Sequence, residues 1–278
     1  MTMKVKGETM TLKVVVAGVT GRMGQTIAKL IIEDERFEFV GGTEKDGHPQ
    51  IGEDIGLLTG SKATGVQVSS QLEPLFAMAD VVIDFTIPEA TVHHARLAAQ
   101  ARIAHVIGTT GFTLEQEDEI KWASHHSSIV KSGNMSLGVN LVAALTKRVA
   151  AALSNAFDIE IVEMHHKHKI DAPSGTALML AQAASQGRGV NLEDVRIPAR
   201  EGITGSRPNG GIGMSAIRGG SVVGDHDVLF ASDEEMITIS HRAQDRSLFA
   251  RGALTAAIWA AHQPPGLYSM IDVLGLDT

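Results

Sequence analysis

The chain has no cysteine, and that absence removes disulfides, thiolate metal sites and cysteine nucleophiles together. Aromatic residues make up only 4% of 278 positions, so a stacking platform for single-stranded nucleic acid has little to be built from. Positive charge is also in deficit. The 24 Lys and Arg against 32 Asp and Glu leave a formal charge of −8, the wrong sign for general attraction to a phosphate backbone. No apolar run approaches the length of a membrane span, and no basic segment leads into an apolar stretch near Met1. The expectation is a cytoplasmic protein with neither a membrane span nor a secretory signal.

What is present fits an enzyme of the α/β class. Hydrophobic residues reach 44% and glycines number 29, enough for a large core and many tight turns, and the length favours two domains. Leu12 to Ala17 is a short β-branched run with the look of a strand buried on both faces, and it stops at Gly18. Gly18-Val19-Thr20-Gly21-Arg22-Met23-Gly24 then opens a helical pattern with Ile27, Leu30 and Ile31 on one side. Strand, glycine turn and helix in that order give G-x-x-G-x-x-G its meaning. The glycines permit the tight turn, the approach of backbone to a pyrophosphate and close helix-to-strand packing. The next strand, Phe37 to Thr43, ends at Glu44, 20 residues beyond Gly24, where a carboxylate meets the adenosine ribose. Lys45 beside it can accept a 2′-phosphate, so NADH or NADPH is the expected cofactor.

Three further buried runs, Asp80 to Phe85, Ala104 to Ile107 and Ser128 to Lys131, alternate with helical patterns. Five strands over Leu12 to Lys131 predict a doubly wound, Rossmann-like parallel sheet. Gly108-Thr109-Thr110-Gly111 falls at a strand's C-terminal end, the rim where such sheets bind ligands. His93 and His94, inside a helix, read as surface and edge positions rather than ligands, and His125 and His126 as structural. Beyond Asp158 the texture changes: Asp158 to Met164, Ile212 to Arg218, Ser221 to Phe230 and Glu235 to Arg242 read as strands with one convincing helix among them. That predicts a smaller α+β domain over 137–245. Arg246 to Ala261 reads as a helix returning to the first domain, which then comprises 12–136 plus 246–278. Pro198 to Gly213 reads as a long loop, and 1–11 as a flexible lead-in.

The stretch from Asp158 to Pro173 carries the chemistry. Ile159, Ile161 and Met164 alternate with Asp158, Glu160 and Glu163, and then come His165-His166-Lys167-His168-Lys169. After these cations Asp171-Ala172-Pro173-Ser174-Gly175-Thr176 opens the helical run Ala177 to Ala184. Ser174 suits the N-cap, and the N–H groups of Gly175 and Thr176 at a helix start favour anions. Imidazoles, ammonium groups and a helix N-terminus together describe a pocket for a small, multiply negative molecule with proton donors at hand. Lys169 among His165, His166 and His168 is expected to feel like charges that ease loss of its proton. Two other readings compete: a hydrolase with the histidines on a metal, and a dinucleotide-sensing module without turnover. Neighbouring side chains on a strand point to opposite faces, so His-His-x-His is poor zinc spacing and no metal is expected. A sensor needs no proton donor.

Four segments together resemble the 4-hydroxy-tetrahydrodipicolinate (dihydrodipicolinate) reductase family: Gly18 to Gly24, Asp84-Phe85-Thr86, Gly108 to Phe112, and Glu163 to Ala177. The resemblance runs from about Leu12 to the C-terminus. It implies a homotetramer of lysine and diaminopimelate biosynthesis, assembled through the second domain, that reduces a heterocyclic dicarboxylate with NADH or NADPH and releases water. Carried over by position, it makes His165 the proton donor or acceptor and Lys169 the proton donor. His166, Lys169, Ser174, Gly175 and Thr176 would hold the substrate carboxylates. Gly18, Gly21, Arg22 and Met23 would cradle the pyrophosphate with Val19 and Thr20 in the same turn, and Glu44 would meet the ribose. Gly108, Thr109 and Thr110, with Ser132, Gly133, Asn134 and Met135, would line the nicotinamide side. Ile87 stands where some members carry a basic residue, and Met135 where relatives often have an aromatic.

Overall fold

Val14, Val15 and Val16 have no solvent exposure, as a β-branched strand covered on both faces requires, and they form the centre of β1 (Leu12–Ala17). The computed structural model describes residues 11–276. After β1 come α1 (Arg22–Ile32), β2 (Phe37–Thr43), α2 (Ile55–Leu58), β3 (Val68–Ser69), α3 (Leu72–Met78), β4 (Val81–Asp84) and α4 (Pro88–Ala101). The chain continues through β5 (Ala104–Ile107), α5 (Leu114–Ala123), β6 (Ser128–Lys131), α6 (Leu137–Ala152), β7 (Asp158–His165), α7 (Gly175–Gly187) and α8 (Leu192–Val195). It closes with β8 (Ile212–Arg218), β9 (Gly224–Ala231), β10 (Met236–Ala243), α9 (Ser247–Ala260), β11 (Gly266–Tyr268) and α10 (Met270–Val273). The predicted lead-in lies outside the described residues except for Thr11.

Two units emerge. The first joins the described chain up to Met135 with Phe249–Val273, and the second is Ser136–Leu248 with the final residues from Leu274. The first unit is a parallel sheet in the order β11-β6-β5-β4-β1-β2-β3 with helices between successive strands, the expected doubly wound pattern. Register sets its working edge. Ala17 pairs with Thr43 on one side and Asp84 on the other, Asp84 with Ile107, and Ile107 with Lys131. The residues that follow those positions, Gly18, Glu44, Phe85, Gly108 and Ser132, therefore leave the sheet at one level along its C-terminal rim. Two strands went unforeseen, β3 and β11. Val68–Ser69 pairs with only Gly42 and Thr43, too short for a periodicity signal.

His94 departs from the surface reading. It is 6% exposed, and its Nδ1 lies 2.8 Å from Asp84 Oδ2. A carboxylate buried at the end of β4 needs a partner, and the face of α4 that carries His94 supplies it. Burial alone would raise the Asp84 carboxyl, but hydrogen bonds to His105 and His94 outweigh it and hold Asp84 well below the usual carboxylate range.

The second unit is a mixed sheet in the order β10-β9-β7-β8, with β7 and β8 parallel and β9 antiparallel to β7. Val142, Ala143, Leu180 and Ala184, from α6 and α7, pack with Ile159, Ile161 and Phe230 of the strands. Along β7 burial alternates so that Ile159, Ile161, Glu163 and His165 share the inner face. This corrects the sequence reading, which set Glu163 opposite the isoleucines and grouped Met164 with them. A period of two fixed by Ile159 and Ile161 carries residue 163 inward whatever its polarity. The loop between α8 and β8 is tied to this sheet by Arg207 on Asp158 at 2.6 Å, with Arg200 and Arg207 both on Glu160.

Candidate active site

In the first unit the glycine turn is built for close approach. Gly18 has φ +66°, a conformation that suits glycine. A Cβ at Gly24 would lie 2.2 Å from the Gly18 carbonyl oxygen, so only glycine lets α1 start against the end of β1. No side chain caps α1, and its first N–H groups, from Arg22 and Met23, have no partner within the helix. Those groups, next to a turn with no side-chain bulk at Gly21, form a cradle suited to a diphosphate. Glu44 stands beside the turn, where its Oε1 accepts from the Thr20 hydroxyl at 2.6 Å and from the Thr20 N–H at 3.2 Å. Lys45 is exposed. The residues present thus fit a dinucleotide.

Not every predicted side chain faces outward. Val19, Thr109 and Met135 are 1%, 5% and 1% exposed. Val19 packs beside Gly42, and Thr109 joins its hydroxyl to Thr91 at 2.9 Å and to Asp84 at 3.4 Å. Met135 presses its carbonyl onto Gly252, where a Cβ would stand 1.7 Å away. These three shape the rim from beneath, while Thr110 and Gly133 are exposed on it. Gly108 leaves room for the Phe85 ring, since a Cβ there would come within 2.2 Å of it.

In the second unit the inner face of β7 turns from aliphatic to ionic. Glu163 is 1% exposed and accepts from both terminal guanidinium nitrogens of Arg218, at 2.7 and 2.9 Å. It also receives His165 Nδ1–H at 2.5 Å and the Ser174 N–H at 3.1 Å. Burial would raise the Glu163 carboxyl, but Arg218 and then His165 outweigh it and hold it below the usual glutamate range. An ionised carboxylate only accepts, so the His165 proton sits on Nδ1 and Nε2 is left for exchange. Gly224 backs that nitrogen: a Cβ there would be 3.0 Å from Nε2.

Ser174 is the N-cap of α7, accepting from Ala177 N–H at 3.1 Å as expected, with Gly175 exposed at the first helical position. His166 lines a cavity of about 610 Å³ with Lys167, His168, Gly220, Ser221, Val223 and Arg246. Partial burial, then the charges of Arg246 and His168, push the His166 imidazole below its ordinary value. Lys169 does not lie among cations alone: its Nζ meets both oxygens of Asp171 at 2.7 Å.

Sequence reasoning missed Glu163, Asp171, Arg218, His226 and Arg246. The signal for Glu163 existed, since a residue two before His165 shares its face. Asp171 sat in the quoted motif without a role. Arg218 and His226 come from β8 and β9, opposite His165 and Glu163 respectively, and only register could reveal them.

Residues 12–135 match the family described as dihydrodipicolinate reductase, N-terminus, and residues 138–274 the family described as dihydrodipicolinate reductase, C-terminus. A 4-hydroxy-tetrahydrodipicolinate reductase of Parvibaculum lavamentivorans is 56% identical over 270 residues, 97% of this chain and 100% of that protein. One of Rhizobium meliloti is 53% identical over 267 residues, 96% and 98% of the two chains. Among solved structures, dipicolinate-bound dihydrodipicolinate reductase from Paenisporosarcina sp. TG-14 superposes with a TM-score of 0.74 at 26% identity, covering 95% of this chain and 99% of that one.

Proposed function

The chain belongs to the dihydrodipicolinate reductase family, and from that premise we propose how its residues divide the work. The reaction is the reduction of 4-hydroxy-tetrahydrodipicolinate to tetrahydrodipicolinate, with one hydride and one proton taken up and one water released, in lysine and diaminopimelate biosynthesis. A bound nicotinamide dinucleotide supplies the hydride. The sensing-module and metal-hydrolase readings find no support in these relatives.

In this reading the turn Gly18, Val19, Thr20, Gly21, Arg22 and Met23 receives the diphosphate, with the N–H groups of Arg22 and Met23 at the start of α1 as its donors. The Glu44 carboxylate holds the adenosine ribose, which favours NADH, and exposed Lys45 can meet the extra phosphate of NADPH, so both serve. The rim formed by Gly108, Thr109, Thr110 and Ser132, Gly133, Asn134, Met135 bounds the nicotinamide. His166, Lys169 and the α7 start at Ser174, Gly175 and Thr176 bind the two substrate carboxylates, because cations and the polar hydrogens of a helix start replace the water those anions lose. His165 and Lys169 hold the proton that balances hydride addition. For Lys169 this requires the substrate carboxylate to displace Asp171.

The observation that carries the assignment is the Glu163 to His165 contact, since a buried carboxylate on Nδ1 is how a protein sets an imidazole for proton exchange at Nε2. Initial rates with enzymatically generated substrate and each cofactor, followed at 340 nm, test it. Oxidation of neither NADH nor NADPH would overturn the reading. A homotetramer is proposed through the second unit, where Ile217 and Met236 are exposed, and light scattering tests it. Cytoplasmic location goes with the pathway; among the described residues no helix is long and apolar enough to cross a membrane.

A further inference from the structure

The second unit buries a histidine to which the reaction outlined above gives no task. His226, on β9, is 3% exposed, and its Nε2 lies 3.0 Å from Ser174 Oγ. Its Nδ1 is buried without a partner. The ring meets the His165 ring edge-on, with centroids 5.2 Å apart at 77°. His226 therefore touches both the proposed proton-exchanging group and the proposed carboxylate anchor. Glu163 joins the same two residues on another side, through His165 Nδ1 and the Ser174 backbone N–H, so the four residues close a ring.

The hydrogen inventory of Ser174 decides what the contact does. A hydroxyl has one hydrogen and two lone pairs. The Ala177 N–H at 3.1 Å takes one lone pair. Were the hydroxyl to give its hydrogen to His226 Nε2, the ring's own proton would sit on Nδ1 as a buried N–H with no acceptor, an unmet donor that interiors avoid. Ser174 would then have no hydrogen to offer an anion. With the ring proton on Nε2, that N–H fills the second lone pair of Ser174. What stays unmet is then a lone pair at Nδ1, a milder fault in an interior than an orphaned N–H.

We propose that His226 is a positioning residue for substrate binding: its Nε2–H occupies Ser174 Oγ so that the Ser174 hydroxyl hydrogen is kept for a ligand carboxylate, while its ring holds the His165 ring in place. Burial, and then the charge on His165, push His226 down to about 4, which keeps a single ring proton near neutrality. The inference rests on the assignment of Ser174 to a substrate carboxylate.

Calorimetric binding of dipicolinate and NADH to the full chain tests it, together with steady-state kinetics. His226→Leu weakens dipicolinate binding about tenfold or more, the worth of one hydrogen bond to a charged group, and raises KM for the substrate by a similar factor. NADH affinity and the unfolding midpoint stay near those of the parent. His226→Gln, whose amide N–H reaches the Nε2 position, restores most of the binding, whereas His226→Asn, whose amide ends near Nδ1, does not. The Gln and Asn pair carries the test if the Leu variant fails to fold. Parent-like dipicolinate binding by folded His226→Leu, or equal binding by the Gln and Asn variants, overturns the role of His226. Unchanged dipicolinate binding by Ser174→Ala overturns the Ser174 assignment instead, and the inference with it.

Discussion

Lys169 Nζ and the Asp171 carboxylate form a two-oxygen ion pair, 2.7 Å on each arm, between residues two apart in the chain. The Asp171 side chain is 59% exposed, so the pair contributes little to folding, about 0.2–1 kcal/mol at most. Under the proposed function its importance is competitive, because a substrate carboxylate bound by Lys169 would take the same ammonium hydrogens. Asp171→Asn is expected to leave the unfolding midpoint within a few degrees and to tighten dipicolinate binding, by no more than about fivefold given that ceiling. Calorimetric titration at low and high salt checks it, and weaker binding in the variant refutes the competition.

Lys169→Met removes a proposed proton donor and a carboxylate contact together. We expect the turnover number to fall by about 10²–10⁴-fold, the usual worth of a positioned acid, with NADH affinity unchanged. Equal losses in turnover and NADH affinity would remove Lys169 from the chemistry.

Glu163→Gln leaves the Arg218 guanidinium without its anion and frees the His165 ring to take either tautomer. Breaking a buried pair costs about 3–5 kcal/mol. The low end applies, since the Arg218 side chain is 21% exposed. The second unit should unfold about 10 °C or more below the parent, and turnover should fall even at temperatures where the variant is folded. Scanning calorimetry with kinetics at 15 °C separates the two effects.

His226 gives the second unit a dependence on pH with a definite sign. Its value falls from 6.5 in the open chain to about 4 when folded, so between those limits the unfolded state binds the extra proton and stability declines as pH falls. The contribution is whole above about 6.5 and costs up to about 3 kcal/mol by pH 4. Glu163 and Asp227, both held below their ordinary values, act in the same direction only at lower pH. Denaturant midpoints at pH 7 and pH 4.5 should therefore differ more in the parent than in His226→Gln. Equal differences refute the assignment.

Glu44 and Lys45 should separate the two cofactors. Glu44→Ala removes the carboxylate proposed to meet the ribose hydroxyls, and the NADH KM should rise about tenfold while that for NADPH changes less. Lys45→Ala should do the reverse. Initial rates with both cofactors decide it, and parallel shifts in both would show that neither residue reads the ribose.

The parts of this site legible in the sequence are those made by consecutive residues. Gly18 to Gly24 could be read because strand, turn and helix follow one another without a break, and Ser174 because a cap is local. His165 and Lys169 stood out as chemistry, and the family resemblance supplied their roles. Arg218 and His226 lie 53 and 61 residues beyond His165 and reach it only through strand pairing, which no local pattern encodes. Glu163 and His94 were misplaced for a shared reason: composition argues that charged and imidazole groups stay outside, while each of these has a buried counter-ion that only the folded chain provides.

The sheet of the first unit is finished by β11 at Gly266–Tyr268, paired alongside β6. During synthesis on the ribosome that edge stays unfilled until the chain has emerged past Tyr268. The second unit, almost wholly contained in Ser136–Leu248, emerges earlier as an unbroken piece. The usual order, in which the N-terminal part folds first, is thereby reversed at the last step, and a nascent chain that has emerged from the ribosome past Leu248 but not as far as Gly266 would hold a finished second unit and a first-unit sheet still lacking its outermost strand.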